Sequence, residues 1–183
     1  GVDHLNYGII ASGVVLHYLS ETQHKRLQHI NVLKRIAEEE HIWMDRFTIR
    51  NLELYQSTSL NAVTLIDIID KTISPMGGRL LKRWLALPLK NIEKIRRRHE
   101  VISHLSEDET LHQKLQHHIK QIGDLERLIS KTATGKINPK EVVQLKNSLE
   151  AIVPIKTLSS QTDNAALQLI SDQLHTCDLL RTK

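Results

Sequence analysis

The chain is short of almost everything that a β-rich, disulfide-stapled or membrane-spanning protein needs. It has one cysteine, Cys177, in 183 residues. No internal disulfide can form, and a reducing, cytosolic setting is expected. Aromatic residues make up 3% of the chain. They are Tyr7, Tyr18, Trp43, Phe47, Tyr55 and Trp84, and none follows residue 84. Seven glycines and four prolines are too few for the turns of a sandwich or barrel, whose strands also favour β-branched and aromatic residues. No uninterrupted apolar run approaches the ~18 residues of a membrane span. The opening Gly1-Val2-Asp3-His4 has no basic region ahead of an apolar stretch, so no signal peptide is expected. Charged residues make up 25% of the chain, and their mixed signs argue against wholesale disorder.

What is present is aliphatic: 27 leucines and 20 isoleucines. The length suits one domain, or one domain and a piece of another. The pattern predicts an all-α protein, an extended multi-helix bundle with a short irregular or strand-containing linker near its N-terminus. Residues 8–19 read as a helix with small residues on one side. The pattern weakens from His24 to Trp43, which reads as a linker or a short strand. Asp45 is a candidate N-cap for a helix through Leu54, and a short apolar segment runs from Leu65 to Ile69.

Beyond that the boundaries sharpen. Ser74-Pro75 supplies an N-cap and a proline at the first helical position, followed by Met76, Leu80, Leu81, Trp84 and Leu85 at helical spacing, with Pro88 as the stop. Asn91 restarts a helix with Ile92, Ile95, Ile102 and Leu105 as its stripe. Leu111, Leu115, Ile119 and Ile122 continue the pattern, as do Leu125, Leu128 and Ile129 after Gly123-Asp124, before a loop at Gly135. Asn138-Pro139-Lys140-Glu141 joins an N-cap, an N1 proline and a glutamate that can reach back to the cap N–H. It predicts a long helix with Val142, Leu145, Leu149 and Ile152 on one face. Asp163 is a candidate cap for the last helix, which would hold Leu167, Ile170 and Leu174 and extend towards Cys177. No period of 20–50 residues repeats, which excludes a solenoid.

The side chains give little support for catalysis. Among eleven histidines, the densest set is His112, His117 and His118. Their spacings of five and one do not share a helix face, whereas a ligand pair wants three or four. His99 and His104 are also five apart. Cys177 has His175 two residues away, off its face. There is no Gly-x-Ser-x-Gly and no phosphate loop; Gly77-Gly78 reads as close backbone packing. Neither a catalytic residue, a cofactor site nor a metal site is assigned.

Charge is more informative. The net charge is +4, but residues 71–100 carry nine cations and two anions, so the rest of the chain is net negative. The run Lys90 to Arg98 can serve phosphate contact, an acidic partner, or simply a solvated helix face. No aromatics interleave with it apart from nearby Trp84, which disfavours base stacking. Arg96-Arg97-Arg98 spans more than one helix face, since neighbours lie ~100° apart. At least one of the three should therefore meet another element, with Asp124, Glu126 or another domain as the recipient.

Read together, several ordered segments resemble the MutS family of bacterial DNA mismatch-recognition proteins. Thr72-Ile73-Ser74-Pro75-Met76-Gly77-Gly78-Arg79-Leu80-Leu81-Lys82-Arg83-Trp84-Leu85 is similar to the family's Thr-x-Ser/Thr-Pro-Met-Gly-x-Arg-Leu-Leu-x-Arg-Trp-Leu signature. Asp45 to Leu54 resembles the opening of its core domain, and Tyr18 to Gln23 the end of its connector. Gly123-Asp124-Leu125-Glu126-Arg127 and the Asn138-Pro139 helix start follow in the family order. The resemblance implies a large, dimeric, multi-domain ATPase that clamps mismatched double-stranded DNA in the cytoplasm, associated with the nucleoid. This chain would be an internal fragment: residues 1–43 the end of the connector and a linker, 44–183 the first part of the helical core, or lever. It would not itself be an enzyme. Its mismatch-reading Phe-x-Glu domain would lie upstream, and its clamp and its ATP- and magnesium-binding domain downstream. Its partners would be the other domains of the same chain, the DNA and a second copy, with no membrane. The resemblance marks Thr48, Arg50, Glu53, Pro75, Met76, Gly77, Arg79, Arg83, Trp84, Asp124 and Arg127 as structural or interdomain candidates. It leaves Lys94, Arg96, Arg97 and Arg98 as candidates for DNA or acidic-partner contact.

Overall fold

Helix caps written in the sequence divide the chain. In the computed structural model, which describes residues 2–22, 27, 30, 32–35, 40–57, 59 and 62–181, helices α1 (Asn6–Glu21), α2 (Arg46–Asn51), α3 (Leu65–Ile69), α4 (Pro75–Ala86) and α5 (Ile92–Glu107) come first. Helices α6 (Glu109–Gln121), α7 (Leu125–Ala133), α8 (Pro139–Ser160), α9 (Ala165–Gln173) and α10 (Asp178–Arg181) follow. Among the described residues there is no strand, only an isolated antiparallel bridge between His41 and Leu89. Half of the predicted linker, including His24, lies outside the described residues.

The expected caps form. The side chains of Asp45, Ser74 and Asn91 accept the N–H groups of Thr48, Gly77 and Lys94, and Asp124, not among the expected caps, accepts that of Arg127. Each satisfies an amide that the helix leaves without a partner. Asn138 and Glu141 close a reciprocal capping box at the start of α8. The last cap is displaced by one residue: Asn164, not Asp163, accepts from Ala166 and Leu167 N–H. Helix α9 ends before Leu174, so Cys177 lies outside it, at φ 50.

Helix α2 stops at Asn51 rather than at Leu54. Glu53 adopts φ 47, Glu53 N–H donates to Arg50 O, and Leu54 N–H donates to Ile49 O. This left-handed terminating turn throws Leu54 inward, to 7% exposure. Gly135, at φ 67, closes α7 with the same pair of bonds, to Thr132 O and Lys131 O.

The core sits where α5, α6, α8 and α9 meet. Leu111 and Leu115 of α6 and Leu167 of α9 are buried together, flanked by Val101, Leu105, Ile155 and Leu158. Helix α8 packs against both α6 and α9, presenting Ser148, Ala151 and Ser159 as small buried residues. Small side chains let helix axes approach closely. Ser171 of α9 donates to Lys156 O, and Lys156 Nζ donates to Leu174 O, so the two helices are also tied by hydrogen bonds.

Two predicted stripes shift. On α5, Ile92 and Ile102 are more than 60% exposed; the inward face runs through Ile95, Arg98, Val101 and Leu105. On α8, Val142 is exposed, and burial centres on Ser148, Leu149 and Ala151. Helix α8 also continues through Pro154, which has no N–H to offer the Glu150 carbonyl.

The N-terminal elements are far more open. Helices α1, α2 and α4 bury no residue, and Tyr7, Ile10, Val14 and Tyr18 of α1 are exposed. Total accessible surface is 14000 Å² for 21.0 kDa, where a closed globule of that mass exposes about 9,000 Å². No described helix is long and apolar enough to cross a membrane.

Denaturant unfolding checks the corrected core. Leu167→Ala should cost about 2–5 kcal/mol, whereas Ile102→Ala, on a face the periodicity had assigned to the core, should change stability by less than about 0.5 kcal/mol.

Candidate functional site

The signature segment folds as α4 and the loop before it. Asp70 accepts from both the N–H and the hydroxyl of Thr72, at 3.0 and 2.6 Å, and Ser74 caps the helix that Pro75 begins. Gly77 and Gly78 let α4 sit against this loop. A Cβ on Gly77 would lie 3.0 Å from Ser74 Oγ, and one on Gly78 3.2 Å from Thr72 Oγ1. Met76 is half-buried in the same first turn. At the other end of α4, Tyr55 Oη donates to Lys82 O at 2.5 Å, and Arg83 is exposed.

Arg79 projects from α4 to the start of α7. Its Nη1 and Nη2 donate to Asp124 Oδ2 and Oδ1 at 2.9 and 2.7 Å, and its Nε donates to Glu126 Oε2 at 2.7 Å. This is a forked pairing that lysine cannot reproduce. Asp124 simultaneously caps α7, accepting from Arg127 N–H at 3.2 Å. The two carboxylates lie at a helix N-terminus, where the helix dipole already favours negative charge. The expectation that Asp124 or Glu126 receives one of Arg96–Arg98 is therefore corrected: Arg79 takes both.

The neighbouring residue extends the connection. Gly123 N–H donates to Ser148 Oγ at 3.0 Å. Ser148, fully buried on α8, donates its hydroxyl to Gln144 O at 2.8 Å. A Cβ on Gly123 would come within 2.7 Å of Gln144 Nε2. Helix α4 is thus joined to α8 through two consecutive residues, Asp124 and Gly123. Lys131 and Glu141 add an ion pair between the end of α7 and the start of α8; Lys131 and the Asn138 N–H, with a smaller contribution from the Arg127 charge, hold the Glu141 carboxyl below its ordinary range.

The basic tract divides among different tasks. Arg98 lies over the Trp84 ring, its guanidinium carbon 3.5 Å from the centroid; such cation–π contacts hold best when partly desolvated. Lys94 pairs with Glu40 at 2.7 Å, beside the bridge of His41 to Leu89. Arg96 reaches Glu93 on its own helix at 3.3 Å. Arg97 is exposed, with no partner among the described residues. Lys94, Arg96 and Arg98 thus make three different contacts.

On α2, Thr48 is engaged through its N–H with Asp45, and Glu53 accepts from Ser57 Oγ at 2.6 Å. Arg50 is exposed and lines a groove with Phe47 and Tyr55. Sequence reasoning found Arg79 and Asp124 separately but not their pairing. It missed Ser148, for which a serine inside a long helix gives no signal.

The Arg79 pairing holds the Asp124 carboxyl below the usual carboxylate range, against the opposing effect of burial, and the Arg127 N–H adds to it. A carboxyl depressed in the folded state contributes stability above its unfolded pKa and loses it as pH falls through the folded value. Asp124→Asn preserves a good N-cap and removes the charge. Its stability deficit relative to the parent chain should be full at pH 7 and shrink as pH falls from about 5 to about 2, read by denaturant unfolding at each pH.

Comparison with known proteins agrees with this architecture. Residues 47–182 match the family model described as MutS domain III. The chain is 64% identical over its entire length to the DNA mismatch repair protein MutS of Christiangramia forsetii and 61% identical, again over its entire length, to that of Flavobacterium johnsoniae. Over 98% of its length it is 48% identical to that of Cytophaga hutchinsonii. It spans 21% of the length of each of these relatives. With a domain match across most of its length and such identity throughout, the chain belongs to the MutS family and carries that family's domain III.

Proposed function

We propose that this chain is the connector end and lever segment of a longer mismatch-repair ATPase, transmitting displacement between the parts that bind ATP and the parts that grip mismatched DNA. Residues 1–43 would end the connector and 44–183 begin the core. The observation that carries the reading is the continuous path from α4 through Arg79, Asp124 and Gly123 to Ser148 of α8. A helix joined by forked ion pairs and buried hydrogen bonds to a close-packed bundle moves with it, because packed interiors deform little. The extensive uncovered surface of α1–α4 fits elements that meet other domains. No residue of this chain is given a role towards ATP or magnesium, since no phosphate loop occurs in it. The whole protein would act in the cytoplasm at the nucleoid, as a dimer.

A second reading, an autonomous nucleic-acid-binding helical domain using residues 90–98, is weaker. Lys94, Arg96 and Arg98 are already occupied within the chain. It requires salt-sensitive DNA binding that is lost on reversing Arg96, Arg97 and Arg98.

In the full-length protein, Arg79→Ala should leave binding to mismatched DNA without ATP largely intact and slow ATP-triggered release at least about fivefold. Arg79→Lys should restore only part of the rate, because lysine cannot fork. Trp84→Ala and Leu145→Asp should also slow release. Unchanged release in all of these variants would refute the lever reading.

A further inference from the structure

The α2 surface carries a binding feature that the lever path does not use. Arg46 and Arg50 stand one helical turn apart, which places them on one face. Both are exposed, and neither guanidinium has a hydrogen-bonding or ion-pair partner among the described residues. With Phe47, Ile49, Tyr55 and Gln56 they line a groove of about 590 Å³. Phe47 is 75% exposed, an unusual cost for a phenylalanine with nothing to cover it.

The nearby carboxylates are committed elsewhere. Asp45 accepts from Thr48 N–H at 2.6 Å, and Glu53 from Ser57 Oγ at 2.6 Å. The floor of the groove is fixed from behind by the Tyr55 hydroxyl, which donates to Lys82 O of α4. The groove is therefore a preformed arrangement of two free guanidinium forks flanking an aromatic ring.

We propose that this groove docks an acidic segment of the same polypeptide lying outside these 183 residues, with carboxylates forked by Arg46 and Arg50 and an apolar side chain against Phe47. Charge complementarity selects the partner: two free forks match carboxylates bidentately, and arginine beside an exposed aromatic is the composition of an interface anchor. DNA is the poorer fit. The groove is lined by two cations, and backbone affinity for DNA grows with the number of phosphates neutralised. The relatives supply the room for such a segment, since the chain covers 21% of their length. The inference deepens the lever reading by naming what one end of the lever meets.

The test uses the full-length protein with Phe47→p-benzoylphenylalanine, a photo-reactive phenylalanine extended by a benzoyl group, irradiated with and without mismatched DNA. Mass spectrometry should find a crosslink within one polypeptide, to an Asp- or Glu-containing segment beyond residues 1–183. Adding Arg46→Glu and Arg50→Glu should lower its yield about tenfold or more. Arg46→Gln with Arg50→Gln gives the same direction without charge reversal, and unfolding curves unchanged by either pair show that the fold is intact. A crosslink to DNA, to a second copy, or to no segment at all overturns the proposal, as does a yield indifferent to both arginine pairs. If the crosslink is absent while Arg79→Ala still slows ATP-triggered release, the docking proposal fails and the lever reading stands. If the crosslink forms while release is indifferent to Arg79, the reverse holds.

Discussion

The carboxylate of Asp124 does two things that would ordinarily need two residues. It caps α7 and it receives the Arg79 fork from α4. Helix α4 buries no residue of its own, so its position depends on few connections, of which this is the most directional. The Gly123 amide, one residue earlier, is committed to a buried serine of α8. A lone exposed ion pair contributes little, because water screens it and two long side chains must be held still. Here the geometry is bidentate, the acceptor is already fixed by its helix, and a second carboxylate closes the fork.

Behind that corner lies an aliphatic bundle whose closeness depends on small residues. Leu111, Leu115 and Leu167 fill the space between α6 and α9, while Ser148, Ala151 and Ser159 let α8 come near. The buried hydroxyls of Ser148 and Ser171 donate to Gln144 O and to Lys156 O across the α8–α9 interface, so their burial costs little. The contrast with the N-terminal half is chemical. There, isoleucines, valines and aromatics face outward, and the surface exceeds that of a closed domain of this mass by about half.

Much of the fold was legible because the signals were local. The caps at Asp45, Ser74 and Asn91 and the capping box at Asn138 depend on a few neighbouring residues, and they form where expected. What periodicity misjudged depended on distant partners. That one of Arg96–Arg98 meets another element was legible, but not that it is Arg98 over Trp84, and the buried face of α5 runs through Val101, not Ile102. The early end of α2 reflects a left-handed Glu53, a conformation that favours glycine and so leaves no mark in a sequence with glutamate there. Asp124 and Arg79 are 45 residues apart; their types were visible and their pairing was not.

The central claim is that α4 and α8 are mechanically joined through Gly123 and Asp124. A double-mutant cycle tests it directly, with Arg79→Ala and Ser148→Ala made singly and together and the unfolding equilibrium measured for each. Joined elements predict that the combined effect departs from the product of the single effects by more than about twofold. Effects that multiply within error would show the two contacts to be independent and would contradict the account.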